Sequence, residues 1–224
     1  MPEVLINGPV GRLEGRYYPA KQENAPLALI LHPHPEHGGT MNNKVSFALY
    51  QIFAQRGFST LRFNFRGVGQ SQGEYDHGEG ELSDAAAALD WMQERNKNAP
   101  YVWVGGFSFG AWIGMQLLMR RPEIRGFVSV APPTNSYDFN FLAPCPTDGV
   151  IIRGDKDEIV TEDSVQSLLE KLNVQQGLDV DYRLIGGANH FFRDKIPSLA
   201  YHVHDHLNRA EAGMQVALNN KLAA

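Results

Sequence analysis

The feature that most constrains this chain is a junction. Tyr101-Val102-Trp103-Val104 is a β-rich apolar run ending at Gly105-Gly106, and an apolar helical run, Ala111 to Met119, begins a few residues later. Between them Gly106-Phe107-Ser108-Phe109-Gly110 reads G-x-S-x-G. A strand that turns into a helix so sharply leaves no room for side chains at its flanks, so glycine at 106 and 110 lets the two elements approach. Ser108 is then expected in strained backbone, its hydroxyl raised out of the sheet over a helix N-terminus that favours negative charge. Alone, the pentapeptide also fits an ordinary Gly/Ser turn. The strand before it, the helix after it and the partners downstream favour a nucleophile.

The rest of the chain supplies a sheet for that junction. Val4-Leu5-Ile6 and Leu13 to Tyr18, joined by Asn7-Gly8-Pro9-Val10-Gly11, predict two short strands. Leu27 to His32 is a continuous apolar run, as in a buried parallel strand. From Met41 to Arg56 the residues Val45, Ala48, Leu49, Ile52 and Phe53 recur at helical spacing, and Gly57 closes the helix. Phe58 to Phe65 predicts a strand, Arg66 to Gly73 a turn-rich loop, and Leu82 to Met92 a helix. Strands follow at Gly126 to Ala131 and Gly149 to Gly154, a helix at Ser164 to Leu172, a strand at Val180 to Ile185 and a helix at Ile196 to Leu207. After the opening hairpin, strand and helix alternate. The expected class is α/β: a mostly parallel twisted sheet with an N-terminal antiparallel hairpin and helices on both faces. One domain is expected over residues 1–210. For the Ala/Leu/Asn-rich tail, 211–224, an extension of the last helix, a frayed end and a subunit contact all stay open.

Composition narrows the function. With 43% hydrophobic content, 224 residues can bury a full core. The net charge of −5 and the lack of a Lys/Arg block argue against a nucleic-acid partner. Met1-Pro2-Glu3 does not open a secretory signal, and no run approaches the ~18 apolar residues of a membrane span, so a cytoplasmic location is expected. The lone cysteine, Cys145, sits between Pro144 and Pro146 and offers neither an internal disulfide nor a metal-ligand spacing.

A serine hydroxyl attacks only when a base takes its proton, and the base needs an acid to fix its tautomer. In this architecture the order is serine, acid, histidine, each at the C-terminal end of a strand. Arg153-Gly154-Asp155-Lys156-Asp157-Glu158-Ile159-Val160 follows one buried run, and Gly186-Gly187-Ala188-Asn189-His190-Phe191-Phe192 follows the last strand. The expected triad is Ser108, Asp157 and His190. Asp155 and Glu158 share the acid loop; Asp155, nearest the strand end, suits bracing the turn, while Asp157 has two more residues of reach. Among the other histidines, His202 and His206 share a helix face but lack a carboxylate-rich metal motif, so a solvated face is the simpler reading. His77 precedes the wrong helix for a base.

His32, His34 and His37 crowd a loop that could imitate a metal site, but its position after the first central strand suggests the oxyanion hole. One donor there is the N–H of the residue after the nucleophile, Phe109; the other comes from this loop. Pro33 and Pro35 have no N–H, which leaves the main chain of His34. No metal and no cofactor are expected.

On these segments the chain resembles the α/β-hydrolase family, and within it the small lidless bacterial serine hydrolases. They are His32-Pro33-His34-Pro35 with Gly38 to Lys44, Leu61 to Ser71, Asp76 to Glu81, Gly106 to Gly110, Gly154 to Val160, and Asn189 to Phe192. The spacing Gly154-x-x-Asp157-x-x-Val160 resembles that family's acid loop. Many members carry Asp where this chain has Asn64, in a segment that braces the active-site loops. The resemblance implies cofactor-free hydrolysis of a small-molecule ester through an acyl-enzyme, with aminopeptidase and thioesterase chemistry on the same fold as rivals. A catalytically idle binding scaffold is the reading from another class, and the filled triad positions speak against it.

In this fold a lid enters after the strand that follows the nucleophile helix. Here Pro132 to Asp148 offers seventeen residues with four prolines, too little for a cap domain. An open pocket walled by Phe139, Phe141 and Phe191 is therefore expected. An exposed hairpin edge and the tail residues Met214, Val216, Leu218 and Leu222 suggest a homodimer or larger homo-oligomer.

Overall fold

The apolar runs become the centre of one sheet. The computed structural model describes all residues except 1, 143, 176 and 224, with side chains described through residue 213. The described residues form eight strands: β1 (Glu3–Asn7), β2 (Arg12–Tyr18), β3 (Leu27–Leu31), β4 (Ser59–Phe63), β5 (Val102–Phe107), β6 (Ile124–Val130), β7 (Gly149–Gly154) and β8 (Val180–Ile185). They lie in the order β1-β2-β4-β3-β5-β6-β7-β8. The hairpin β1–β2 is antiparallel and joins β4 antiparallel, and every pairing from β4 across to β8 is parallel. Every residue of β3, β4, β5 and β7 is buried, which is why β3 and β5 read as unbroken apolar or glycine runs, while the polar Ser59, Thr60 and Arg62 of β4 are buried along with its apolar residues.

The helices cover both faces. On one, α2 (Glu79–Arg95), α3 (Phe109–Leu118) and α4 (Glu162–Asn173) pack Leu89, Ile113 and Leu168 into a cluster with Leu29, Phe63 and Ile151 of the sheet. On the other, α1 (Lys44–Gln55) and α5 (Ile196–Ala223) pack Leu49, Phe53, Leu199 and Val203 against Ile30, Val128 and Ile152. Among the described residues of the 131–148 loop the only helical piece is a short 3-10 turn, Asn140–Leu142, and no cap domain stands on them.

Helix starts differ from the sequence reading where side-chain caps decide. Lys44, not Met41, opens α1, because the Asn43 carboxamide accepts the Val45 N–H at 2.9 Å. Glu79 opens α2 three residues before Leu82, and the Glu81 carboxylate accepts the main-chain N–H groups of Asp76 (2.9 Å) and Gly78 (2.7 Å). The backbone of α5 continues as helix through the tail. The side chains of Met214, Val216, Leu218 and Leu222 lie outside the described residues.

Candidate active site

Three loops at the C-terminal ends of β5, β7 and β8 meet over α3. Ser108 sits between β5 and α3 with φ of 52°, a left-handed conformation that an ordinary side chain avoids. The flanking glycines make the turn possible. A Cβ on Gly106 would stand 2.3 Å from the Gly110 carbonyl oxygen, and one on Gly110 would stand 2.5 Å from the carbonyl oxygens of Leu31 and His32.

The acid and base loops are tied to each other before they meet the serine. The Lys156 N–H donates to Ala188 O at 2.9 Å, and the Gly187 N–H donates to Asp155 Oδ1 at 2.6 Å. Asp155 thus braces the neighbouring loop rather than its own turn. Glu158 points to solvent. Beneath them the buried Arg153 guanidinium donates to Val160 O (2.9 Å) and Asp157 O (3.2 Å).

Asp157 is the carboxylate that reaches the imidazole, with His190 Nδ1 at 2.8 Å from its Oδ2. Its Oδ1 accepts the N–H groups of Ile159 (2.9 Å) and Val160 (2.8 Å). Burial pushes its carboxyl up, but the hydrogen bonds from His190, Val160 and Ile159 outweigh burial and hold it below the usual carboxylate value. An ionised Asp157 only accepts, so the His190 proton sits on Nδ1 and Nε2 is left as the acceptor. Ser108 Oγ lies 3.2 Å from that Nε2. Phe107 stacks on the His190 ring at 5.2 Å, and fully buried Phe192 anchors the loop beside it.

Across the serine, the His34 and Phe109 side chains are in contact, their rings 5.1 Å apart. Neither main-chain N–H donates to another group among the described residues. His32 does not join its neighbours in a cluster. It is fully buried, accepts the Phe65 N–H on Nε2 at 3.0 Å and donates from Nδ1 to Pro33 O at 2.6 Å. Among the described residues no set of three His, Cys, Asp or Glu is placed to hold a metal ion.

Asn64 explains its own identity. Its Oδ1 accepts the Met41 N–H at 2.8 Å, and its Nδ2 donates to the buried Glu14 carboxylate at 2.9 Å. An aspartate there would face Glu14 with like charge. Arg66 and Asp84, a buried bidentate pair, tie the following loop to α2.

A cleft of about 580 Å³ opens above Ser108. Its walls include His34, Tyr75, His77, Tyr137, Ile159 and Phe191. Phe191 therefore stands where the sequence suggests, half exposed at the rim. Phe139 and Phe141 do not line the cleft. They stack on each other at 6.0 Å, with Phe139 buried in the core on the far side of the 131–148 loop. Tyr75 and Tyr137 are cleft residues that no motif announces, the nearest signal being their aromatic character beside turn residues; His77 falls in the Asp76 to Glu81 segment but is given no place in the pocket by the sequence. No helix of the described residues is long and apolar enough to cross a membrane.

The family model described as X-Pro dipeptidyl-peptidase (S15 family) matches residues 15–148, more than half of the chain. An uncharacterized protein of Rickettsia prowazekii is 53% identical over 211 residues, covering 92% of this chain and 89% of that one. The structure of a putative α/β hydrolase from Agrobacterium tumefaciens superposes with a TM-score of 0.93 at 58% identity, covering 95% and 97% of the two chains. A Xanthomonas campestris protein described as an α/β serine hydrolase without lid superposes with a TM-score of 0.83 at 31% identity, covering 93% and 94%.

Proposed function

The chain belongs to the α/β-hydrolase family, its family-model match lying with the S15 peptidases, and on that premise we propose that it hydrolyses carboxylic esters with small or exposed acyl groups. The observation that carries the reading is the hydrogen-bonded line from Asp157 through His190 to Ser108, at 2.8 Å and 3.2 Å, on the floor of an open cleft. In the proposed reaction Ser108 Oγ attacks the carbonyl carbon while its proton passes to His190 Nε2. The carbonyl electron pair moves onto oxygen, where the N–H groups of His34 and Phe109 receive it. Collapse expels the alcohol oxygen, which takes the proton from His190. Water, deprotonated by the same nitrogen, then attacks the acyl-enzyme and releases the acid and free Ser108.

The family model's name favours a peptidase as the second reading. A peptidase that recognises a free N-terminus needs a carboxylate to pair with the amine. No Asp or Glu is among the described residues lining the cleft. That absence of a counter-charge favours a neutral ester over an aminoacyl substrate.

The test compares p-nitrophenyl acetate and butyrate with X-Pro and aminoacyl p-nitroanilides. Ester turnover should exceed anilide turnover, and Ser108→Ala should lower it by about 10³-fold or more. Preferred cleavage of an anilide would replace the esterase reading by the peptidase one. Equal rates for wild type and Ser108→Ala would remove the enzymatic reading.

A further inference from the structure

Three loops that are distant in sequence meet around the Phe109 side chain. His34 follows β3, Tyr75 precedes α2 and Tyr137 follows β6; their rings lie 5.1, 6.0 and 5.9 Å from that of Phe109. His34 also packs on Tyr75 at 4.9 Å. The side chains of both residues whose N–H groups face the reacting carbonyl thus share one aromatic neighbour, Tyr75.

The hydrogen bonds in this cluster have a direction. The Glu36 N–H donates to His34 Nδ1 at 3.2 Å, so that nitrogen is an acceptor and the imidazole proton sits on Nε2. Nε2–H then donates to the Tyr75 hydroxyl oxygen at 3.2 Å. Tyr75 is itself fixed: the next residue's N–H is held by Glu81, and the buried Arg66–Asp84 pair anchors the loop to α2.

The mechanical consequence falls on the His34 main chain. Its N–H lies between two residues, Pro33 and Pro35, whose nitrogens donate no hydrogen bonds, and it has no acceptor among the described residues. The Pro33–His34 peptide plane is held from its carbonyl side, where Pro33 O accepts from His32 Nδ1 at 2.6 Å, and the His34 side chain adds a second hold, at one nitrogen by its own turn and at the other by Tyr75. Preorganised donors act on a developing oxyanion because they need not reorient during reaction.

We propose that Tyr75 is a positioning residue of the oxyanion hole, its hydroxyl clamping the His34 imidazole so that the His34 N–H stays pointed at the transition-state oxygen. This rests on the esterase reading above. Tyr75 does no proton transfer and forms no bond to substrate; its effect reaches the reaction through His34.

Tyr75→Phe tests it, since phenylalanine keeps the ring contacts with His34 and Phe109 and deletes only the hydroxyl. With p-nitrophenyl acetate, kcat should fall about fivefold, the scale of one lost hydrogen bond, while KM stays within twofold. His34→Ala should fall by a similar factor. The double variant should fall no further than the worse single one, because both changes release the same clamp. Thermal melts of all three variants accompany the rates. Fully additive losses, a rise in KM with kcat kept, or a wild-type kcat in folded Tyr75→Phe would each overturn the proposal. If Tyr75→Phe denatures, Tyr75→Trp must also lose kcat at unchanged KM, and wild-type kcat there overturns it. Ser108→Ala keeps the two readings apart: full activity in that variant fails the esterase reading, whereas a dead Ser108→Ala beside an unaffected Tyr75→Phe fails only the clamp.

Discussion

At the scale of single residues, His34 separates main chain from side chain. If its N–H is the oxyanion donor, His34→Ala keeps that donor and loses only the clamp, a few-fold effect. His34→Pro deletes the donor, and removal of one such group costs about 2.7–4 kcal/mol, or ~10²–10³ in turnover. The expected result is a working alanine variant and a failed proline variant, each read after a melt shows it folded. A loss in His34→Ala as deep as in Ser108→Ala would assign the imidazole a chemical role instead. Ser108 and His190 were legible in the sequence because strand, turn and helix signals fix where each must stand. Asp157 needed its spacing to Gly154 and Val160, since Asp155 shares the loop; the structure separates them by what each carboxylate reaches, His190 Nδ1 or Gly187 N–H. Tyr75 and Tyr137 were not legible. Their meeting requires three loops to converge on Phe109, and no local pattern records that convergence.

Among the elements, the 131–148 loop decides what the cleft can hold. Its prolines exclude a long helix, and its apolar residues turn inward: Leu142, Cys145 and Phe139 are buried in the core beneath α3 and α4. The sequence reading placed Phe139 and Phe141 on the cleft because they are aromatic and near it. Direction along an irregular loop has no periodicity to read, and that is why the assignment failed where the strand assignments did not. Ile159 and Phe191 remain as exposed apolar rim, a small surface for an acyl chain. Each buried methylene contributes about 0.8 kcal/mol only when a wall receives it. Specificity should therefore peak at acetyl to butyryl p-nitrophenyl esters and fall at octanoyl and beyond, with no rate jump as substrate passes from monomer to emulsion. A rising series to long chains, or activation at the lipid–water boundary, would mean that a deeper acyl site exists.

For the whole molecule, the parallel sheet with α1 and α5 on one face and α2, α3 and α4 on the other follows from the alternation of apolar runs. The caps that shift helix starts are side-chain matters that periodicity does not see. Global stability carries a further consequence of a buried histidine. His32 joins the end of β3 to the Phe65 N–H, and burial lowers its pKa from 6.5 to about 4 against the raising effect of its bond to Pro33 O. A protonated His32 would turn Nε2 from acceptor to donor and set it against the Phe65 N–H. The folded state thus holds the neutral ring while the unfolded chain takes up a proton below about 6.5. Stability from this residue is complete above the unfolded value and is lost as pH falls toward the folded value, by roughly 2 kcal/mol between pH 7 and pH 5. His206, buried against Trp103 rather than on a solvated face, has a lowered pKa that acts in the same direction, while Asp157, also lowered, loses its contribution only below the usual carboxylate range. Urea melts at pH 7 and pH 5 should show the loss in wild type. His32→Gln, which can still accept from Phe65 but cannot titrate, should start less stable at pH 7 and show a visibly smaller drop to pH 5. An equal drop in both proteins would place the acid sensitivity at another group.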